Sequence, residues 1–116
     1  MNLPNATLAI VERHKIADYL LNPAHPDNGG KARFLTAMGF ALHDWQILAA
    51  ALRQLAVNTP VAARIESSHD RKYVQDGLLQ TPCGKMPIVR AVWIVDRGSE
   101  TPRLVTAYPQ DDSETP

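Results

Sequence analysis

A switch of hydrophobic period at Pro60 constrains this chain more than any other feature. Before it, apolar residues return every three or four positions. Leu42, Trp45, Leu48, Ala49, Leu52, Leu55 and Ala56 make one stripe, which predicts a helix from about His43 to Ala56 closed by Asn58, Thr59 and Pro60. After it, short runs rich in β-branched residues alternate with turn residues. Strands are predicted at Val61–Ser67, Tyr73–Gln80, Ile88–Asp96 and Arg103–Tyr108.

The first half holds two more helices. Ile16, Tyr19 and Leu20 share a face, and Asn22-Pro23 ends that helix. Phe34, Leu35 and Met38 share the face of a second, over Lys31–Met38, with Gly39 placed as its left-handed cap. Leu8–Val11 reads as one short strand. Between the helices, Asn22 to Gly30 carries two prolines and two glycines and is longer than most helix connections, as loops that hold sites often are. The turns at Ser68–Arg71, Thr81–Lys85 and Arg97–Glu100 are short, so successive strands should pair antiparallel. The expected class is α+β, with N-terminal helices packed on a four-stranded antiparallel β-sheet. Residues 1–109 read as a single domain and residues 110–116 as an acidic, frayed tail. Strand alternation puts Val89, Ala91, Trp93 and Val95 on the covered face. It also puts Leu104, Thr106 and Tyr108 on one side of the last strand, with Arg90 and Arg103 pointing the other way.

Composition removes several function classes. Twelve Lys and Arg balance twelve Asp and Glu, for a formal net charge of zero, which argues against a broad phosphate-gripping surface but leaves room for a small one. One cysteine, Cys83, makes no internal disulfide. No apolar run is long enough to span a bilayer, and the N-terminus lacks the pattern of a signal peptide, so a cytoplasmic location is expected. His14, His25, His43 and His69 fall into no metal-ligand spacing, and neither a metal nor another cofactor is expected.

His25 is the residue most open to chemistry. It lies in the long loop between Ala24 and Pro26, and an imidazole exchanges protons near neutral pH. Lys31 and Arg33 follow at the start of a helix, where cations are unfavourable unless an anion is shared. A histidine and two cations are parts that could grip and cleave a phosphodiester. The plainer reading is a solvated loop and a solvated helix face. Thr106 can donate to a phosphate oxygen, Tyr108 can stack on a base, and Arg90 either faces water or binds phosphate in a bidentate manner. Trp45 and Trp93 read as core. Cys83, in a turn without a paired base, reads as an ordinary thiol.

Several stretches, in order, resemble an uncharacterised family of small bacterial domains: Leu3–Ala6, Tyr19–Pro26, Gly30–Phe34 with Gly39-Phe40, Val89–Ile94 and Pro102–Pro109. The same order looks like C-terminal toxin domains of the barnase–EndoU–colicin–RelE superfamily. That resemblance implies N-terminal helices on a four-stranded antiparallel sheet and RNA cleavage without metal. It matches His25 and Lys31 to the loop–helix positions and Thr106 to the last-strand position as catalytic residues. Arg33, Arg90 and Tyr108 would be substrate-binding auxiliaries. It further implies RNA as substrate and a cognate antitoxin or immunity protein as partner. The alternative is a non-catalytic protein-binding module, or one partner of a toxin–antitoxin pair, which the zero net charge suits.

Overall fold

The computed structural model describes residues 1–26 and 30–110. Asp27, Asn28 and Gly29 of the long loop, and residues 111–116 of the expected tail, lie outside them. A 3-10 turn at Ala6–Leu8 leads to helix α1, Arg13–Lys15, which runs directly into a π-helical turn, Ile16–Leu20. Helix α2 spans Lys31–Ala37. Helix α3 spans Trp45–Asn58, entered through a 3-10 turn at Leu42–Asp44. Four strands follow: β1 Ala63–Glu66, β2 Asp70–Leu78, β3 Ile88–Asp96 and β4 Arg103–Pro109. They form one antiparallel sheet in the order β1-β2-β3-β4, so the expected α+β architecture is what the chain adopts.

The helices and one sheet face share a core. Leu48, Leu52 and Leu55 of α3 and Ile16 and Leu20 of the π turn pack with Tyr73, Val89, Trp93 and Leu104. Each such aliphatic side chain contributes about 1.5–3 kcal/mol on burial. The stripe predicted for α3 holds from Leu48 onward, but Leu42 is exposed, because it sits in the 3-10 turn before the helix begins. The Leu8–Val11 strand reduces to a single parallel bridge. Ile10 N–H donates to Pro102 O at 2.9 Å, and Leu104 N–H donates to Ile10 O at 2.9 Å, capping part of the β4 edge.

The expected alternation holds on β3, where Val89, Ala91, Trp93 and Val95 are all buried. On β4 it fails. Leu104 pairs with Trp93 and Thr106 pairs with the adjacent Val92, so Val105 is an extra residue and the strand carries a bulge. Leu104 and Ala107 therefore face the core. Thr106 and Tyr108 share the opposite face with Val92 and Arg90, not the face of Leu104.

Candidate functional site

Tyr19 lies at the centre of a polar cluster. The helical period groups it with Ile16 and Leu20, but the π turn widens the local coil. Leu21 N–H donates to Ile16 O at 2.8 Å, five residues back, and Tyr19 stays half-buried while Ile16 and Leu20 go fully inside. The Tyr19 hydroxyl is 3.0 Å from Thr106 Oγ1, within the part-buried zone between the π turn and β4. The bulge at Val105 leaves Thr106 on this side of the sheet.

Asn22 folds the loop back on that ring. Its Nδ2 donates to Asp18 O at 3.2 Å, its Oδ1 accepts from Ala24 N–H at 3.0 Å, and its backbone O accepts from His25 N–H at 3.2 Å. This local turn sets the His25 imidazole edge-on to Tyr19, with ring centroids 5.0 Å apart and planes at 72°. Lys31, the first residue of α2, holds its Nζ 5.4 Å from the Tyr19 ring centroid and 5.7 Å from that of Tyr108. Lys15 Nζ lies 5.5 Å from the Tyr19 ring as well. Each such cation–π contact contributes about 0.5–1 kcal/mol where water still reaches it. A recess of about 250 Å³ opens here, lined by Gly30, Lys31, Tyr108 and Pro109.

Arg90 sits next to Tyr108 across the β3–β4 register. Its Nε and Nη2 donate to the two carboxylate oxygens of Asp76 at 2.8 and 2.9 Å, a bidentate pair that is partly buried. The hydrogen bond to Asp76 raises the arginine's pKa further above its ordinary value, and Tyr108 adds to this, so Arg90 is a fixed charge already balanced by Asp76.

His25, Lys31, Thr106 and Tyr108, four of the residues singled out from sequence, thus bear on one locality, with Tyr19 linking the first three. Arg90 borders it through Tyr108. Arg33 does not join them: it is exposed and, two residues on from Lys31, points roughly 200° around α2. Tyr19, Lys15 and Asp76 were not singled out as site residues from sequence. The edge-on contact of a loop histidine and the widened turn leave no local pattern to read. Among the described residues, no group of three His, Cys, Asp or Glu side chains could hold a metal ion. The exposed Cys83 has its Sγ 3.3 Å from Thr81 Oγ1. That hydrogen bond lowers the thiol's pKa without bringing a base to it. No described helix is long and apolar enough to cross a membrane.

A family described as a domain of unknown function (DUF6883) matches residues 2–111. No curated protein matches the chain in sequence. One solved structure with the same fold is a chain of a contact-dependent growth inhibition toxin–immunity protein complex from Klebsiella pneumoniae 342. It superimposes with a TM-score of 0.71 at 18% identity, covering 91% of this chain and 97% of that one. At that identity the likeness is one of fold.

Proposed function

The chain belongs to the family described as a domain of unknown function (DUF6883), and from that premise we propose that it is a toxin-type endoribonuclease that cleaves RNA by acid–base catalysis without a metal. One observation carries the reading: a loop imidazole and a lysine ammonium meet one tyrosine ring whose hydroxyl meets a strand hydroxyl, beside an open recess. The fold likeness to a member of a toxin–immunity protein complex supports it.

In this reading the ribose 2′-oxygen attacks the adjacent phosphorus and the P–O5′ bond breaks, leaving a cyclic phosphate and a 5′-hydroxyl. His25 accepts the 2′-OH proton or protonates the leaving oxygen, and solvent handles the other transfer. Lys31 stabilises the charge that builds on the phosphoryl oxygens. Thr106, oriented by Tyr19, donates to one of those oxygens. Tyr108, on the open face of the sheet, offers a ring on which a base can stack. Arg90, held by Asp76, acts by fixing Tyr108 rather than by gripping phosphate alone. Arg33 adds only long-range attraction for a polyanion.

The test is turnover of single-stranded RNA by the purified chain, with growth arrest on expression as a second readout. His25→Ala and Lys31→Ala should each lower the rate by about 10²–10⁴ with an unchanged thermal midpoint. Tyr19→Phe, which keeps the ring and loses the hydroxyl, should lower it only about tenfold, the worth of one ordinary hydrogen bond. A deoxyribose at the cleaved position should abolish turnover. Equal rates in the wild type and both alanine variants would reject the assignment.

A second reading is that the chain is the binding partner of such a pair rather than the nuclease. The zero net charge and the two-component nature of the similar complex favour it. No turnover at high protein concentration, together with tight recovery of one cognate protein, is its expected result.

A further inference from the structure

β1 is exposed at all four of its residues, Ala63–Glu66. It is an outer strand, and among the described residues its only strand neighbour is β2. The far edge is covered within its strand, where Ile10 bonds beside β4, whereas on this side Met1 and Asn2 reach only Val61 and Pro60, before β1 begins. One hydrogen bond sets the parity of β1. Ser67 N–H donates to Asp70 O at 2.9 Å, and the register running from Ala63↔Val74 to Glu66↔Arg71 makes these two residues a bonded pair. Bonded and non-bonded pairs alternate along an antiparallel ladder. The backbone N–H and C=O of Ile65 therefore point toward β2, and those of Arg64 and Glu66 point away from the sheet. The two residues that present their backbone to the edge thus carry opposite charges. Within one chain, Arg64 pairs with Glu66 and lies 5.9 Å from the Tyr73 ring.

We propose that this edge is a self-association surface, on which β1 of a second copy of the chain pairs antiparallel about a two-fold axis at Ile65. In that register Arg64 faces the second copy's Glu66, and Glu66 faces its Arg64. Four backbone hydrogen bonds close, and Ile65, 57% exposed in one chain, meets its counterpart in the closer, non-bonded pair. A slip of two residues either way would set Arg64 against Arg64 or Glu66 against Glu66, and a slip of one would misalign the bonding groups. The charges thus select one register out of those available, and they discourage other strands from adding to the edge. Four residues a side is well short of a standard interface, so the dissociation constant should be on the order of 100 µM or weaker. The Tyr19 cluster lies at the β4 side of the sheet and stays open in both copies. The pairing is therefore independent of what that cluster does.

Sedimentation equilibrium of the full chain from about 10 µM to about 1 mM tests this. The wild type should gain mass toward a dimer. Arg64→Glu and Glu66→Arg should each weaken association roughly tenfold or more, because each sets two like-charge pairs across the edge. An equimolar mixture of those two variants should associate again, since each then meets its opposite, and so should the double reversal Arg64→Glu/Glu66→Arg. A wild type that stays monomeric at the highest concentration overturns the proposal. Dimerisation untouched by either single variant overturns it too, by locating the contact elsewhere. With thermal midpoints at the wild-type value, failure of the mixture or of the double reversal to recover would remove the register and the proposal with it.

Discussion

Gln75 has all of its side-chain polar groups satisfied in the interior. It is fully buried in β2. Its Nε2 donates to Ala56 O at 3.1 Å and Thr59 O at 2.7 Å, and its Oε1 accepts from Trp93 Nε1 at 2.8 Å. One amide thereby satisfies an indole and two carbonyls at the end of α3. Gln75→Leu keeps roughly the volume and strands all three, so it should destabilise the chain by about 2–4 kcal/mol, read as a lower urea midpoint with an unchanged m-value. Trp93 was legible as core from its alternation with Val89, Ala91 and Val95. Gln75 was not, because a polar residue in a strand reads as the wet face unless its partners are known. Helical spacing put Tyr19 on one face with Ile16 and Leu20, but its polar role comes from the π turn and the return of the loop, which spacing does not show. Asp96 shows a simpler dependence. Arg103 Nε and Nη2 donate to it at 2.8 and 3.1 Å, and this hydrogen bonding lowers its pKa. A depressed carboxylate contributes stability above its unfolded value of about 3.9 and loses it as pH falls through the folded value. Asp96→Asn should therefore lower the thermal midpoint at pH 7 and make no difference once the medium is acidic enough to protonate the native carboxyl. A gap between the two proteins that persists at such pH would show that the pair is not the cause.

At the scale of elements, the joint between α3 and β2 depends on a missing side chain. A Cβ on Gly77 would stand 2.3 Å from Thr59 Oγ1 and 2.9 Å from its Cγ2, and Thr59 is itself buried at the end of α3. Gly77→Ala must push the helix end and the strand apart, close to the carbonyls that Gln75 holds. The expected cost is about 1–3 kcal/mol, seen in the denaturation midpoint, with Gly77→Ser no better. A midpoint within error of wild type would mean that Thr59 can swing clear. The elements themselves were largely readable. β3 has the limits expected of it, and α2 and α3 shift by a residue or two at their ends, as helix termini do. What strict alternation missed was the bulge in β4. The sequence Arg103-Leu104-Val105-Thr106-Ala107-Tyr108 alternates plausibly in either frame, and only pairing with β3 reveals that Val105 is the extra residue. That single insertion is what turns Thr106 and Tyr108 out of the core and toward Tyr19 and Lys31.

For the whole molecule, the layered α+β arrangement followed from the change of period at Pro60, because each half shows an apolar face that only the other can cover. The locality of the candidate site followed less directly. Its members come from the π turn, the loop, α2 and β4, and no short-range pattern binds positions 19 and 106 together. The balance of charge carries its own consequence for the proposed activity. With twelve cationic and twelve acidic side chains, and with Arg90 and Arg103 each tied to a carboxylate, the chain has little surplus positive field to offer RNA. The ammonium groups bearing on Tyr19 are those of Lys15 and Lys31. If they make the phosphate contacts, affinity for a single strand should fall with salt at a log–log slope of about −1.4, from about −0.7 per phosphate neutralised. Fluorescence anisotropy with a short labelled oligoribonucleotide, using His25→Ala to suppress turnover, measures that slope directly. Lys31→Ala should then shallow it by roughly one phosphate's share, whereas Arg33→Ala should leave it nearly unchanged. A slope steeper than about −4 would require about six or more phosphate contacts, well beyond the two ammonium groups at Tyr19, and would move the RNA away from that ring.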